Sequence, residues 1–489
     1  MLGQIYFICP SLYSIIHMND TKLLITCGLL CAVNISMAGT KQTPPRPNIL
    51  LINIDDLGWA DVGYNGSEYY ETPNIDRLHK MGVSFQNAYA GAANSAPSRA
   101  CLMTGLNTPR HGVYTVAPAE RGKAEDRKLI PCENKKALDD SAWLLPQALR
   151  AAGYQTCHVG KWHITADPLK NGMEVNIAGY EAGHPKSYFS PYKNPNLTDG
   201  PEGEYLMDRL ASEVVQYIDT VNRERPFFLY YATYAVHTPL QAKSELIEKY
   251  KRKNATEAHN NPVYAAMVEN MDAGIGRVLD AVEKNGLSEN TLIVFTSDNG
   301  GVYHISRQWP LRAGKGSFYE GGIREPFIIY MKGAYEGGIT RTEPVSQLDL
   351  YPTLVHLAGA DPVITPDGED LLPLLNEGKT DYLNDRTLYW HFPAYLETGP
   401  GLNEARDPLF RSRPVSVILQ KGWKLIENYE DGALELYDLN RDPSEKQDVS
   451  GKYPDKTAQL YDRLNAWKKE TNAPVPDRLN PLYKPESKK

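Results

Sequence analysis

Five short, unbroken apolar runs limit what this chain can fold into. The first, Asn48-Ile49-Leu50-Leu51-Ile52-Asn53-Ile54, lies between the Pro-rich joint Thr43-Pro44-Pro45-Arg46-Pro47 and the pair Asp55-Asp56. Comparable runs recur at Thr156 to Gly160, Phe227 to Tyr231, Leu292 to Thr296 and Phe327 to Tyr330. Strands with one wet face alternate apolar and polar residues, whereas uninterrupted runs of this length belong to strands covered on both faces. Helical patterns separate them, at Ala142 to Ala152, Tyr205 to Val221, Pro262 to Asn285 and Ser346 to Leu357. This alternation predicts an α/β sandwich with a mostly parallel central sheet between helices. In such sheets ligands collect at the carboxyl ends of the strands.

The texture changes near residue 376. Arg386 to His391, Val415 to Leu419 and Trp423 to Glu427 read as short antiparallel strands, followed by a helix from Lys456 to Glu470. A smaller α+β domain with an antiparallel sheet is therefore expected over 376–489, after a catalytic domain over 47–375. Leu479 to Lys489 is polar and Pro-bearing and is expected to form a loose tail.

From Met18 the chain has a short charged region, an apolar stretch from Leu23 to Val33 and the small-x-small sequence Ser36-Met37-Ala38. This is the pattern of an export signal, too short to span a bilayer, so 1–38 is read as leader, with translation alternatively beginning at Met18, and 39–46 as linker. The expected location is periplasmic or secreted, with no stable membrane span. Cleavage would leave Cys101, Cys132 and Cys157, an odd number at irregular spacing that makes neither a disulfide framework nor a zinc site. The net charge of −8 argues against nucleic acid as a partner.

Two segments carry chemistry. In Ser95-Ala96-Pro97-Ser98-Arg99-Ala100-Cys101-Leu102-Met103-Thr104-Gly105, Asn94 to Pro97 reads as a helix start. That places Ser95 at a helix N-terminus, where free amides and the helix dipole favour an anion, with Arg99 one turn on. The second is Gly153-Tyr154-Gln155-Thr156-Cys157-His158-Val159-Gly160-Lys161-Trp162-His163. Asp55-Asp56 and Asp298-Asn299 each follow a predicted buried strand, and together form a hard, all-oxygen set that suits Ca²⁺, with Mg²⁺ as the alternative. Either pair alone would pass for a turn or cap.

Taken together these segments resemble the formylglycine-dependent sulfatases of the alkaline phosphatase superfamily, through the patterns [CS]-x-P-S-R-x-x-x-x-T-G and G-Y-x-T-x-x-x-G-K-W-H. The resemblance runs from Pro47 to Glu435-Leu436-Tyr437-Asp438-Leu439. It implies an alkaline-phosphatase-like fold and oxidation of Ser95 to formylglycine (3-oxoalanine). A serine at that position implies a radical-type anaerobic sulfatase-maturing enzyme as partner. It also implies a cation held by Asp55, Asp56, Asp298, Asn299 and residue 95. Arg99, Lys161, His163, His237 and Lys315 would line the sulfate pocket, with Lys315 and His237 on the departing oxygen and Asp298 as base.

Aromatic and hydrogen-bonding groups in three loops mark candidate sugar contacts: His184, then His304, Arg307 and Trp309, then His391. The expected reaction is removal of sulfate from a glycan such as a glycosaminoglycan or mucin. The competing readings are an aryl or choline sulfatase, a phosphonate monoester or phosphodiester hydrolase, and a sulfated-glycan binding protein with an unconverted serine.

Overall fold

The computed structural model describes residues 46–377, 380–383, 385–399 and 403–485, so the expected leader lies outside the described residues. In chain order, the first nine strands are β1 (Asn48–Ile54), β2 (Val83–Phe85), β3 (Ala88–Tyr89), β4 (Gln155–Gly160), β5 (Val175–Ile177), β6 (Phe227–Ala232), β7 (Thr291–Ser297), β8 (Ile328–Tyr330) and β9 (Ile339–Arg341). All but β3 join one eight-stranded sheet in the order β5-β4-β6-β1-β7-β8-β2-β9. From β5 to β7 every neighbour is parallel. Beyond that point β8 runs antiparallel to both β7 and β2, so the run expected at Phe327 to Tyr330 reverses the local direction.

The continuous apolar sequence of β1 follows from cover on both sides. Leu50, Ile52 and Ile54 pack in one core with Leu210 and Val214 of the Leu206–Thr220 helix and Met271 and Ile275 of the Pro262–Lys284 helix. Ile49 and Leu51 point the other way. They join Leu102, Leu145, Leu149 and Leu354 from the Ser95–Thr104, Leu145–Ala151 and Leu350–Leu357 helices. A strand whose successive side chains enter two different cores has no polar face to alternate.

At the C-terminal end, Thr387–Phe392, Val415–Gln420, Trp423–Asn428 and Leu434–Asp438 form a four-stranded antiparallel sheet in that order. The Leu434–Asp438 strand was not expected as a strand. Ile418, Leu425 and Leu436 pack under the Pro454–Glu470 helix through Leu460, Leu464 and Trp467. The opposite face, with Trp390, Val417 and Tyr437, packs on Tyr89, Phe318 and Ile323 of the larger part.

The expected loose tail is corrected over its described part. Leu479 bridges to Leu129, Asn480 Nδ2 donates to Ala124 O and Arg127 O at 2.8 Å, and Lys484 N–H donates to Glu125 O. These bonds go to main-chain carbonyls about 350 residues earlier in the chain, which a local reading of polar composition does not reach. Among the described residues no helix is long and apolar enough to cross a membrane.

Candidate active site

Four parallel strands end on one edge of the sheet and deliver the polar residues there. Asp55 and Asp56 follow β1, Lys161 to His163 follow β4, His237 follows β6, and Asp298 and Asn299 follow β7. The strand ends are tied to one another: Lys161 N–H donates to Ala232 O, Asp55 N–H to Ala235 O, and Asp298 N–H to Ile54 O. Gly160 permits the first of these approaches, because a Cβ there would lie 1.9 Å from Ala232 O. Asp56 (φ 63°) and His163 (φ 57°) hold left-handed conformations that non-glycine residues adopt only where surroundings impose them.

Ser95 begins the helix that ends at Thr104, with Asn94 as its N-cap, and is buried. Its Oγ lies 3.2 Å from Asp55 Oδ1 and 3.3 Å from Asn299 Oδ1. One turn on, Arg99 is buried and donates from Nε to Asp298 Oδ2 at 2.9 Å and from Nη1 to Lys161 O at 3.1 Å. Lys161 Nζ reaches both oxygens of Asp55 at 2.8 Å, and Lys315 Nζ lies 2.6 and 2.8 Å from the two oxygens of Asp56. Asp56 Oδ1 accepts from Asn299 Nδ2 at 2.9 Å, and Asp298 Oδ1 accepts from Asp56 N–H at 3.1 Å. His237 completes the rim, with Nδ1 on Thr238 O at 2.7 Å and Nε2 3.7 Å from Asp56 Oδ2. Residues separated by up to 259 positions thus meet in one hydrogen-bonded cluster.

Burial dominates the electrostatics. It pushes Asp55 up to about 8, with Asp298 adding to the rise and Lys161 opposing it. For Asp298 burial is outweighed by Arg99 and Lys161, and for Asp56 by Lys315 and His237, so both stay below the usual carboxylate range. Burial lowers Lys161 against the pull of Asp55. It holds His163 well below its ordinary value, with Lys161, Arg99 and Lys315 acting in the same direction. Burial and Lys315 bring His237 down to about 3.

Two buried atoms in this cluster, Arg99 Nη2 and His163 Nδ1, have no hydrogen-bond partner. Buried polar atoms are normally satisfied, so both are open to a polar ligand. The oxygens of Asp55, Asp56, Asp298 and Asn299 fit a hard divalent cation, and ligand atoms of Asp55, Asp56 and His237 lie within 4.8 Å of one another. Three carboxylates face the three cations Arg99, Lys161 and Lys315, so a divalent ion would leave the cluster positive and attractive to an anion.

The candidate sugar contacts separate. His184 stacks on His237 with ring centroids 6.1 Å apart, and His304 lines a pocket with Lys315. Arg307 lies over Trp309 and Tyr303 and pairs with Glu257, placing Arg307 and Trp309 on the outer rim. His391 is corrected. It is buried in the C-terminal part, with Nδ1 on Ser416 Oγ and Nε2 on Pro474 O, so both ring nitrogens are used internally. Its neighbours Trp390 and Phe392 look like a sugar platform in sequence, but they belong to a strand of the antiparallel sheet.

Several supporting residues carry no signature in the sequence. Gln347 accepts from Ser98 Oγ at 2.6 Å and donates to Ser297 O and Glu325, tying the Ser95 helix to the end of β7. Tyr230 Oη joins Asn53 to Arg99 beneath the cluster.

Comparison with known proteins agrees with this geometry. The family model described as Sulfatase matches residues 47–360, and that of the N-sulphoglucosamine sulphohydrolase C-terminal region matches residues 314–470. The chain belongs to the sulfatase family. This sulfatase is 32% identical to a sulfatase of Formosa agariphila over 94% of its own length and 95% of that protein. It is also 32% identical to the N-acetylgalactosamine-6-sulfatase of Homo sapiens, over 72% of its length and 70% of the relative. Its fold superposes on the crystal structure of Ps i-CgsB in complex with k-i-k-neocarrahexaose with a TM-score of 0.72 at 32% identity, covering 88% of this chain and 95% of that one. The phosphonate monoester hydrolase of Agrobacterium radiobacter shares the fold, at TM-score 0.66 and 22% identity over 87% of this chain and 96% of that one.

Proposed function

We propose that this sulfatase removes sulfate from a carbohydrate ester, using residue 95 as formylglycine beside a bound Ca²⁺. The observation that carries the reading is the position of Ser95 Oγ between Asp55 Oδ1 and Asn299 Oδ1 at a helix N-terminus, with Arg99, Lys161 and Lys315 around it. Support for a sugar substrate comes from relatives named for N-acetylgalactosamine 6-sulfate and from the neocarrahexaose complex.

An unmodified serine is a weak nucleophile, and the carboxylate its hydroxyl meets, Asp55, is already engaged on both oxygens by Lys161. Oxidation would turn residue 95 into an aldehyde whose hydrate has one hydroxyl to attack sulfur and a second whose deprotonation expels the sulfate. A Ca²⁺ held by Asp55, Asp56, Asp298 and Asn299 would add positive charge next to that oxygen. Lys161 anchors Asp55, which holds residue 95, and Arg99 anchors Asp298 while its Nη2, without a hydrogen-bond partner, is assigned to a sulfate oxygen. Lys315 places an ammonium where the departing alcohol oxygen gains charge, with His237 Nε2 beside it. His163 keeps Nδ1 open toward the second step. Asp298 does not reach Ser95 Oγ. It is kept ionised by Arg99 and Lys161 and is the acceptor we assign to the attacking hydroxyl's proton, the hydrate having one oxygen more than serine.

Catalysis of this kind needs maturation by a radical-type anaerobic enzyme, and the leader would carry the protein to the periplasm or beyond. We also assign residues 47–375 to the catalytic domain and 376–489 to the C-terminal subdomain. The test is co-expression with such a maturase, mass spectrometry of the peptide containing residue 95, and a panel of sulfated mono- and disaccharides. Loss of two hydrogens from the peptide with sulfate release from a sugar is the expected result. A converted enzyme that cleaves only aryl sulfates, choline sulfate or phosphonate monoesters would overturn the carbohydrate assignment, and an unconverted serine with tight glycan binding would overturn the hydrolase.

A further inference from the structure

Arg411 lies on the short strand Phe410–Ser412, which pairs with Leu396–Glu397. The arginines around it are committed to carboxylates. Arg413 holds Asp407 and Glu430, Arg406 holds Asp431 and Glu435, and Arg121 holds both oxygens of Glu397. Among the described residues Arg411 has no carboxylate within ion-pair distance and no acceptor for its guanidinium.

The same side chain is drawn in from solvent beside the catalytic cluster. Its stem packs on the glycine after Lys315, since a Cβ at Gly316 would lie 3.0 Å from Arg411 Cδ. A Cβ at Gly399 would lie 3.3 Å from Arg411 Nη2 and 3.2 Å from His304 Cε1, so the guanidinium and the imidazole face each other across a glycine. Lys315, His304, Tyr303 and Arg411 line one pocket. Burial lowers both Arg411 and His304, and the Arg411 charge lowers His304 further. Asp56 and Glu397 offset the Arg411 charge only from beyond ion-pair distance, so an anion arriving at the guanidinium would be favoured, and its planar fork matches a carboxylate or sulfate through two parallel hydrogen bonds.

We propose that Arg411, assisted by His304, forms a subsite for a second anionic group on the leaving-group side of the substrate, so that this sulfatase prefers doubly anionic glycans. The group is a carboxylate or a second sulfate, which share this chemistry. The proposal rests on the sulfate-ester reading above, since Lys315 marks the leaving-group side only if that reading holds.

The test compares wild type, Arg411→Gln and Arg411→Lys, each with formylglycine formation verified and thermal unfolding recorded. The probes are 4-nitrophenyl sulfate, a monosulfated neutral disaccharide, the same disaccharide with a second sulfate, and one with a uronic acid. Arg411→Gln should lower kcat/KM at least tenfold, mainly through KM, on a doubly anionic probe and stay within twofold of wild type on the singly anionic ones. Arg411→Lys should recover part of the loss. Whichever doubly anionic probe loses more identifies the group. Equal losses on all probes, or none, would overturn the subsite. Calorimetry with the Ser95→Ala protein separates the two readings. If no ester is hydrolysed but Arg411→Gln still weakens binding of a doubly anionic sugar at least tenfold, catalysis is misassigned and the subsite stands. If binding is unchanged, the subsite is wrong whatever the enzyme hydrolyses.

Discussion

Two of the buried charge clusters among the described residues differ in what they leave open. The cluster at the carboxyl ends of β1, β4, β6 and β7 brings Asp55, Asp56 and Asp298 against Arg99, Lys161 and Lys315. A second, at the junction with the C-terminal sheet, sets Lys424 Nζ 3.0 Å from Glu320 Oε1 and 2.8 Å from Glu445 Oε1, with Arg324 Nε 3.0 Å from Glu320 Oε2. Lys424, Glu320 and Glu445 are fully buried. Both clusters shift the ionisation of their members, so perturbed charge does not by itself distinguish a site. In the second, the two atoms without a hydrogen bond, Arg324 Nε and Glu445 Oε1, each still lie within 3.0 Å of an opposite charge. In the first, Arg99 Nη2 stands 3.9 Å from Asp55 Oδ1, neither it nor His163 Nδ1 has a hydrogen-bond partner, and Lys315 lines an open pocket. A buried ion cluster that closes on itself holds parts together, and one that leaves donors open is shaped for something else.

That contrast can be broken experimentally. Ser95→Ala should abolish turnover, by about a thousandfold or more in kcat, with the melting temperature unchanged, since only a hydroxyl is removed from the nucleophile position. A large loss of stability there would mean that the first cluster is structural after all. Lys424→Met should do the reverse. Leaving Glu445 without its cation and Glu320 with Arg324 alone should lower stability by about 3–5 kcal/mol in denaturant titrations while kcat of the folded fraction holds. Lys315→Met should reduce kcat by roughly 10²- to 10³-fold on a sugar sulfate and less on an ester with a good leaving group, because that ester needs less stabilisation of its departing oxygen.

Glu445 sharpens the comparison through pH. Burial, with Glu320 adding and Lys424 opposing, raises it from 4.5 to about 7. The folded state therefore holds this proton more tightly than the unfolded chain. The stabilisation is complete below about pH 4.5 and is lost as pH rises through about 7. Glu445→Gln should match wild type in thermal melts at pH 5 and exceed it by about 2–4 °C at pH 8. Equal melting temperatures at both pH values would remove Glu445 from the account. The smallest effect belongs to the C-terminal segment: Asn480→Ala removes two hydrogen bonds to main-chain carbonyls and should lower stability by about 1 kcal/mol, with faster hydrogen exchange along 124–130.

Much of this architecture was legible beforehand because it is written in local periodicity. A strand covered on both faces must be apolar throughout, so β1, β4, β6 and β7 appear within a residue or so of their predicted limits. The start of the Ser95–Thr104 helix was visible for a similarly local reason: a proline is tolerated in a first turn. The strand at Leu434–Asp438 was missed because a five-residue edge strand carries little periodicity of its own and is set by pairing with Trp423–Asn428. His391 was misread because an aromatic-polar run looks alike at a pocket rim and in a sheet whose polar atoms find internal partners.

The sequence by itself determined the sheet, the order of the polar pairs after its strands and the nucleophile's place at a helix N-terminus, since each depends on residues only a few positions apart. Only the tertiary structure decided which charges are spent and which are free. Arg413 and Arg411 are equally anonymous as letters. Whether a cation is neutralised depends on carboxylates brought to it from distant parts of the chain, as with Lys315 and Asp56, and no local pattern records that pairing.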